Sequence, residues 1–188
     1  MKKIPIILLM ILILQGCIPA AFVAGTAAGV VIYDHRSTKT IVDDRDITFQ
    51  VQHKFDSDQD LHDRAHVSVA TFNHIALLLG QAPDAGLRSK AEAIAKSNSK
   101  VKIVHNEITI EKPISDMDRA NDAWITTKVK TVLATTVGLS SSNLKVITEN
   151  KVVYLMGLTT RTQAKLAADK TRTVAGVEKV VKLFEYLS

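Results

Sequence analysis

The chain has 188 residues, of which 46% are hydrophobic and 23% charged, with a formal charge of +5 and a single cysteine. That length holds one ordinary domain or two small ones, and the lone Cys17 excludes an internal disulfide framework. The charge is unevenly placed: residues 42–112 carry nine basic and eleven acidic side chains, net −2, whereas residues 119–188 carry eleven and five, net +6. The basic second half is expected to attract anionic surfaces through a field that salt screens.

Met1-Lys2-Lys3 is a short positive segment, and the apolar run Ile4 to Leu14 follows it. At about 1.5 Å rise per residue the run cannot cross a hydrocarbon core roughly 30 Å thick, so residues 1–16 are expected to be a signal peptide. The run ends in Leu14-Gln15-Gly16-Cys17, which resembles a bacterial lipobox with a bulkier residue than usual at Gln15. That resemblance implies cleavage before Cys17 and acylation of its thiol and new amino group. Ile18 and Pro19 follow, without the Asp in second position that retains such lipoproteins at the inner membrane, so an outer-membrane address is expected. Pro19 to Val31 is rich in Ala, Gly and Val and reads as a tether near the bilayer. Residues 17–41 are thus assigned to the lipidated cysteine and its tether.

From Ile41 the chain repeats itself. Ile47 to Phe55 matches Ile125 to Leu133 at an offset of 78, and Val67 to Gly80 matches Leu144 to Gly157 at 77. Val101 to Val104 matches Val177 to Val180 at 76. Order is kept while the offset drifts by two, as in an internal duplication. Each copy reads as a helix (44–56 and 122–135), an alternating apolar strand, a turn at Asn73-His74 or Asn150-Lys151, and a second strand. Ile75, Leu77 and Leu79 alternate in one such strand, and Val152, Tyr154 and Met156 in the other. Gly80 and Gly157 are expected to end those strands. A second helix (Leu87, Ala91, Ile94, Ala95; Ala164, Leu166, Ala167, Val174) and a closing strand (101–110; 177–187) complete each unit. The fold class is α+β: two αββαβ units over 42–111 and 119–188, joined by a linker at 112–118 in which Pro113 breaks the preceding strand. Units this small have little core to spare, so the copies are expected to lean on each other.

The αββαβ order, the hairpin ending in Leu155-Met156-Gly157 and the entry Gly176-Val177-Glu178-Lys179-Val180 resemble BON domains. With the lipobox and tether, the whole chain resembles the dual-BON outer-membrane lipoproteins of the DolP type. Asn121 to Lys130 and Thr148 to Leu158 are the segments that carry this best. The first copy departs from the pattern, with Ser99-Lys100 where Gly usually precedes the Val.

Little in the sequence supports catalysis or metal binding. Asp56-Ser57-Asp58-Gln59-Asp60 starts like a calcium loop, but its sixth position is Leu61 and its twelfth is Val67. His62 and His66 have the i,i+4 spacing of helical zinc sites without a third ligand in register. There is no Gly-rich phosphate loop and no nucleophile motif, so the expectation is a non-enzyme without cofactors or metal. Nucleic acid is disfavoured by export and by the scarcity of stacking aromatics.

The helix opening the second copy is the candidate site. Asn121 or Asp122 is expected to cap it. Ile125, Val129, Val132, Leu133 and Thr136 share one stripe, read as core; Trp124, Lys128, Thr131 and Thr135 share the next. A single Trp in a small domain can pack between units, or its amphipathic ring can sit at a membrane interface beside Lys128. The family resemblance implies the latter: anionic phospholipid contacted by Trp124, Lys128, Val129 and Leu133, although the helical stripe puts the last two in the core. The position matching Trp124 in the first copy is Asp46, so a membrane role is expected of the second copy alone. The expected function is a lipid-anchored protein on the periplasmic face of the outer membrane. It would bind anionic phospholipid and support envelope integrity, with the division site as one place of action. The alternative is an adaptor for envelope or division proteins, anchored by its lipid only.

Overall fold

The computed structural model describes Asp34 and residues 36–187, so the expected signal peptide, Cys17 and the tether up to residue 33 lie outside the described residues. Two twenty-residue helices open the two halves. The first, α1, spans Thr38–Ser57 and is capped by Ser37, whose hydroxyl accepts the Thr40 N–H at 3.1 Å. Ile47, Val51 and Phe55 recur every fourth residue and are fully buried. A short α2 (Gln59–Arg64) leads to β1 (His66–Phe72), which pairs antiparallel with β2 (Ile75–Ala82). Asn73 and His74 between them both adopt positive φ (51° and 64°), as a two-residue hairpin with the twist of its strands requires. Helix α3 (Ala85–Lys96) then crosses to β3 (Ile103–Asn106) and β4 (Thr109–Ile110), both parallel to β2.

The second half repeats this order. Helix α4 (Asp116–Thr135) and a 3-10 turn (Ser141–Asn143) lead into β5 (Leu144–Glu149), antiparallel to β6 (Val152–Thr159). Helix α5 (Arg161–Arg172) returns the chain to β7 (Lys179–Tyr186), parallel to β6. Both sheets have their second strand in the middle, and Asn150 and Lys151 repeat the positive-φ hairpin (46° and 61°). The α+β duplication expected from the sequence is therefore present, with two departures in the first copy: the short α2 is added, and the closing strand expected over 101–110 is split into β3 and β4.

Two cores lie between helices and sheet, one in each half. Ile47, Val51, Phe55, Val67, Val69 and Leu78 belong to the first, and Ile125, Val129, Leu133, Val146, Val153 and Leu155 to the second. A third core joins the halves: Phe72, Ile75, Leu77 and Leu79 pack with Tyr154 and Met156, so the two sheets meet face to face. The central strands β2 and β6 are thus apolar on both faces, and the alternating residues singled out in the sequence are the ones that face the other domain. The described residues fall in one compact unit that contains all three cores.

Three local expectations are corrected. Helices α1 and α4 begin at Thr38 and Asp116, within the segments expected to be tether and linker. Ser115, and not Asn121 or Asp122, caps α4, by accepting the Asp118 N–H at 3.2 Å. The Asp122 carboxylate instead accepts the N–H groups of Asn150 (2.6 Å) and Lys151 (2.8 Å) and so clamps the hairpin to the helix. Gly80 and Gly157 sit inside their strands, two residues before the end. A Cβ at Gly80 would stand 1.9 Å from the His66 carbonyl, and one at Gly157 2.6 Å from that of Asn143. The glycines admit the incoming backbone instead of stopping the strand.

Candidate functional site

Helix α4 divides its residues between inside and outside along the lines of its sequence. Ile125, Val129 and Leu133 face the second core and are 0%, 0% and 1% exposed. Trp124 lies off that stripe and is 61% exposed, so it packs neither between the domains nor over the sheet. Met117, seven residues earlier and therefore on the same line of the helix, is 79% exposed; Val137, just beyond the helix end, is 96% exposed. Met117 and Trp124 stand about 10 Å apart along the helix axis at 1.5 Å per residue.

The polar residues on this strip spend their donors on the helix itself. Thr127 donates its hydroxyl to the Ala123 carbonyl, Thr131 to Thr127 and Thr135 to Thr131, each at 3.0 Å. Their hydroxyls are turned toward the helix backbone, which makes the outer surface less polar than its composition suggests. Lys128, one turn beyond Trp124, donates its ammonium to the Ala175 carbonyl. Gly176 makes that approach feasible: its φ is +97°, and a Cβ there would press within 3.1 Å of Ile125. The loop before β7 thus fixes the Lys128 ammonium one helical turn from Trp124. Lys130, on another side of the helix, has no hydrogen bond or ion pair among the described residues.

The first copy has a different chemistry at the same places. Asp46, at the Trp124 position, pairs with Lys100 at 3.3 Å. Gln50, at the Lys128 position, accepts from Asn98 at 3.0 Å. Lys100 also bonds Asp43 at 2.6 Å, and with Lys39 it holds that carboxyl down at about 2. Charge pairs occupy the α1 positions that match Met117 and Trp124, Lys39 with Asp43 and Asp46 with Lys100.

Of the four residues expected to meet lipid, the structure exposes Trp124, leaves Lys128 half-buried and buries Val129 and Leu133. The helical stripe had assigned the last two to the core, and there they pack. Sequence reasoning missed Met117. The seven-residue spacing from Met117 to Trp124 was the available signal, and it was obscured by placing the helix start six residues late. Cys17 lies outside the described residues. The failed calcium loop has structural duties: Asp58 caps α2 by accepting from Leu61 (3.1 Å) and pairs with Lys90 (2.7 Å). Among the described residues no group of three His, Cys, Asp or Glu side chains could hold a metal, and no helix is long and apolar enough to cross a membrane.

The family comparison agrees with this architecture. The BON domain model matches residues 43–112 and 121–188. The chain is 36% identical to the outer membrane lipoprotein DolP of Haemophilus influenzae, over all of this chain and 97% of that one. It is 35% identical to a 21 kDa hemolysin of Actinobacillus pleuropneumoniae, over 82% of this chain and 79% of that one. A solved structure of CdsD, a structural protein of the type III secretion system of Chlamydia trachomatis, covers 76% of this chain and 92% of its own at 11% identity and a TM-score of 0.32.

Proposed function

We propose, for a chain that belongs to the BON-domain family and within it to the dual-BON outer-membrane lipoproteins, that the second domain docks α4 on anionic phospholipid. The observation that carries this is the pair of exposed apolar side chains, Met117 and Trp124, on one line of α4 in a domain of net charge +6. Trp124 would enter at head-group depth, where an amphipathic ring keeps its N–H wet and its body dry. Lys128 would meet a lipid phosphate, contributing about 1 kcal/mol near an anionic surface. Acyl chains on Cys17 would supply residence at the periplasmic face of the outer membrane, and the helix contact would orient the folded unit. Val129 and Leu133 serve from beneath, by holding the helix on its sheet. In this reading the protein is non-catalytic, needs no cofactor or metal, and supports envelope integrity as a membrane-bound scaffold, with recruitment to division sites as a further step.

The test is co-sedimentation of residues 34–188 with phosphatidylglycerol and with phosphatidylcholine vesicles. Binding should be confined to the anionic vesicles and weaken with salt. Trp124→Ala combined with Lys128→Glu should abolish it in a protein that circular dichroism shows to be still folded. Undiminished binding by that variant would remove α4 from the contact. Absence of binding by the wild-type fragment would favour an adaptor held at the membrane by its lipid alone.

A further inference from the structure

The two domains treat the outer edge of their first strand differently. In the first domain Gln52, on α1, lies across the edge of β1. Its amide donates to the Val67 carbonyl (3.2 Å), and its oxygen accepts the Val69 N–H (3.2 Å). These are backbone groups that point away from β2 and would otherwise be open. The duplication places Lys130 at the Gln52 position, Leu144 at Val67 and Val146 at Val69. The pairing registers agree: Val67 faces Gly80 and Val69 faces Leu78, as Leu144 faces Gly157 and Val146 faces Leu155. Neighbouring features are kept, because Thr48 bonds Thr71 at 2.9 Å and Thr126 bonds Thr148 at 2.8 Å. Lysine cannot accept a hydrogen bond and offers no amide pair. No side chain among the described residues bonds the Leu144 carbonyl or the Val146 N–H, and β5 is an edge strand.

This open edge lines a cleft of about 660 Å³ between the domains. Leu144, Lys145 and Val146 form one wall, and α1 forms the other with Ile41, Arg45 and Phe49, the last 72% exposed. Four cations line the cleft, and Arg36 is paired with Asp34 and Asp44 at 2.8 Å each, which leaves Arg45, Lys130 and Lys145 without a carboxylate among the described residues. Asp44 is occupied with Arg36 (2.8 Å) and with the hairpin N–H groups of Asn73 and His74. Lys145 reaches across to the Thr71 carbonyl at 3.0 Å without meeting a carboxylate there. Unpaired backbone, uncompensated positive charge and an exposed aromatic ring therefore converge in one groove.

We infer that this cleft binds an extended acidic peptide segment of a partner protein, which adds as a strand to the open edge of β5. The Leu144 carbonyl and the Val146 N–H would give the register; Lys130, Lys145 and Arg45 select carboxylates on the incoming strand; and Phe49 receives an apolar side chain. A lipid head group could use the cations but not the strand edge. A second copy of this chain would bring the same cations, Arg45, Lys130 and Lys145, against those already lining the cleft. The charge of the cleft and the backbone geometry together favour an acidic peptide. The site is separate from the Trp124 strip, and each can fail without the other.

The experiment is amide NMR of residues 34–188 titrated with a synthetic acidic peptide that alternates Asp and Glu with Val and Phe, and with its Asn and Gln counterpart. The acidic peptide should shift the amides of Leu144, Lys145 and Val146, slow exchange of the Val146 N–H, and leave the Trp124 indole in place. The neutral counterpart should bind about tenfold or more weakly. Lys130→Gln restores the amide that the first domain uses to close its edge, so it should abolish binding and slow Val146 exchange without peptide. Lys130→Met, which removes the charge but cannot close the edge, should weaken binding and keep Val146 protected at saturation. The proposal is overturned by unshifted β5 amides at millimolar acidic peptide, by unchanged binding in Lys130→Gln, or by shifts confined to Met117 and Trp124. Shifts at the cleft from phosphatidylglycerol vesicles in place of peptide would overturn it in favour of lipid. Protection of Val146 that rises with protein concentration alone would overturn it in favour of self-association.

Discussion

Asp44 and Asp122 hold the same place in the two domains and make the same pair of bonds. Asp44 accepts the N–H groups of Asn73 and His74 at 2.7 and 2.8 Å, and Asp122 those of Asn150 and Lys151 at 2.6 and 2.8 Å. Each carboxylate is buried and fastens the opening helix to a hairpin whose two turn residues carry positive φ. Asp122→Ala should cost about 2–4 kcal/mol, since two backbone donors lose a charged acceptor. Asp122→Asn, which keeps one acceptor oxygen, should cost about half as much. Urea denaturation of residues 34–188 measures both.

The sequence made the duplication legible because apolar spacing and turn residues survive in both copies even where identities do not. It misplaced the start of α4 for a physical reason. Asn121 and Asp122 are good caps in isolation, but Asp122 already serves the hairpin, and Ser115 with Asp118 forms the cap further upstream. Residue spacing alone does not say which of two polar groups a buried Asp will satisfy. The inter-domain core was half visible: β2 and β6 read as alternating strands, yet every residue of β2 is buried because the strand has a helix-side face and a partner-side face. The edge difference between Gln52 and Lys130 was present in the sequence but meant nothing until the register of β1 and β5 was known.

The domains depend on their shared core. Leu77 is fully buried between the sheets, with Tyr154 and Met156 in the same cluster. Burial, reinforced by the Glu107 and Glu149 carboxylates, pushes the Tyr154 phenol up to about 12. Leu77→Ala should destabilise by about 2–5 kcal/mol, the range for a buried Leu truncated in a packed core. Because each domain has its own second core, the loss should appear as faster amide exchange on β2 and β6 before the helices α3 and α5 are released. Uniform exchange across the unit would show that the domains fold only together.

A polar link crosses the same interface, where Gln81 donates its amide to Glu149 at 2.6 Å. Burial, partly offset by this bond, raises the Glu149 pKa above the usual carboxylate value. The folded state therefore holds this proton more tightly than the unfolded state. The cost of ionised Glu149 is absent below the unfolded pKa, grows as pH rises through the folded pKa, and is complete above it. Glu149→Gln should remove that component of the pH dependence and leave a melting temperature at pH 7 equal to or above wild type. Thermal melts of both proteins between pH 4 and pH 7 decide it, and a lower melting temperature for the variant across the whole range contradicts it.

Gly157 lies where β6 passes the 3-10 turn, with no room for a side chain: a Cβ would stand 2.6 Å from the Asn143 carbonyl and 2.8 Å from Leu144. Gly157→Ala should therefore push the start of β5 outward and destabilise by about 1–3 kcal/mol, the usual cost of overpacking. Gly138 is the control. It has positive φ but nothing within 4 Å of an added Cβ, so Gly138→Ala should carry only the backbone penalty. Chemical denaturation of the two variants, compared side by side, separates steric overlap from backbone strain.

Trp124 is the only tryptophan in the chain, so its fluorescence reports directly on the α4 surface. With 61% of its surface exposed, it should emit at long wavelength in buffer. Phosphatidylglycerol vesicles should shift the emission to shorter wavelength, and a quencher placed near the head groups should reduce it more than one placed deep in the acyl region, because the indole N–H needs a polar partner. Met117→Ser removes the other apolar side chain on the Trp124 line and should weaken vesicle binding by about threefold to tenfold, as expected for losing one exposed apolar side chain from an interface, whereas Val137→Ser, off that line, should leave binding unchanged. Neither change touches the core, so melting temperatures should stay within about a degree or two of wild type. Val129→Ala should do the opposite: it creates a cavity under the helix and lowers the melting temperature, but leaves binding intact while the domain is folded. Loss of binding in a Val129→Ala protein that remains fully folded would mean that the buried stripe, and not the exposed strip, meets the lipid.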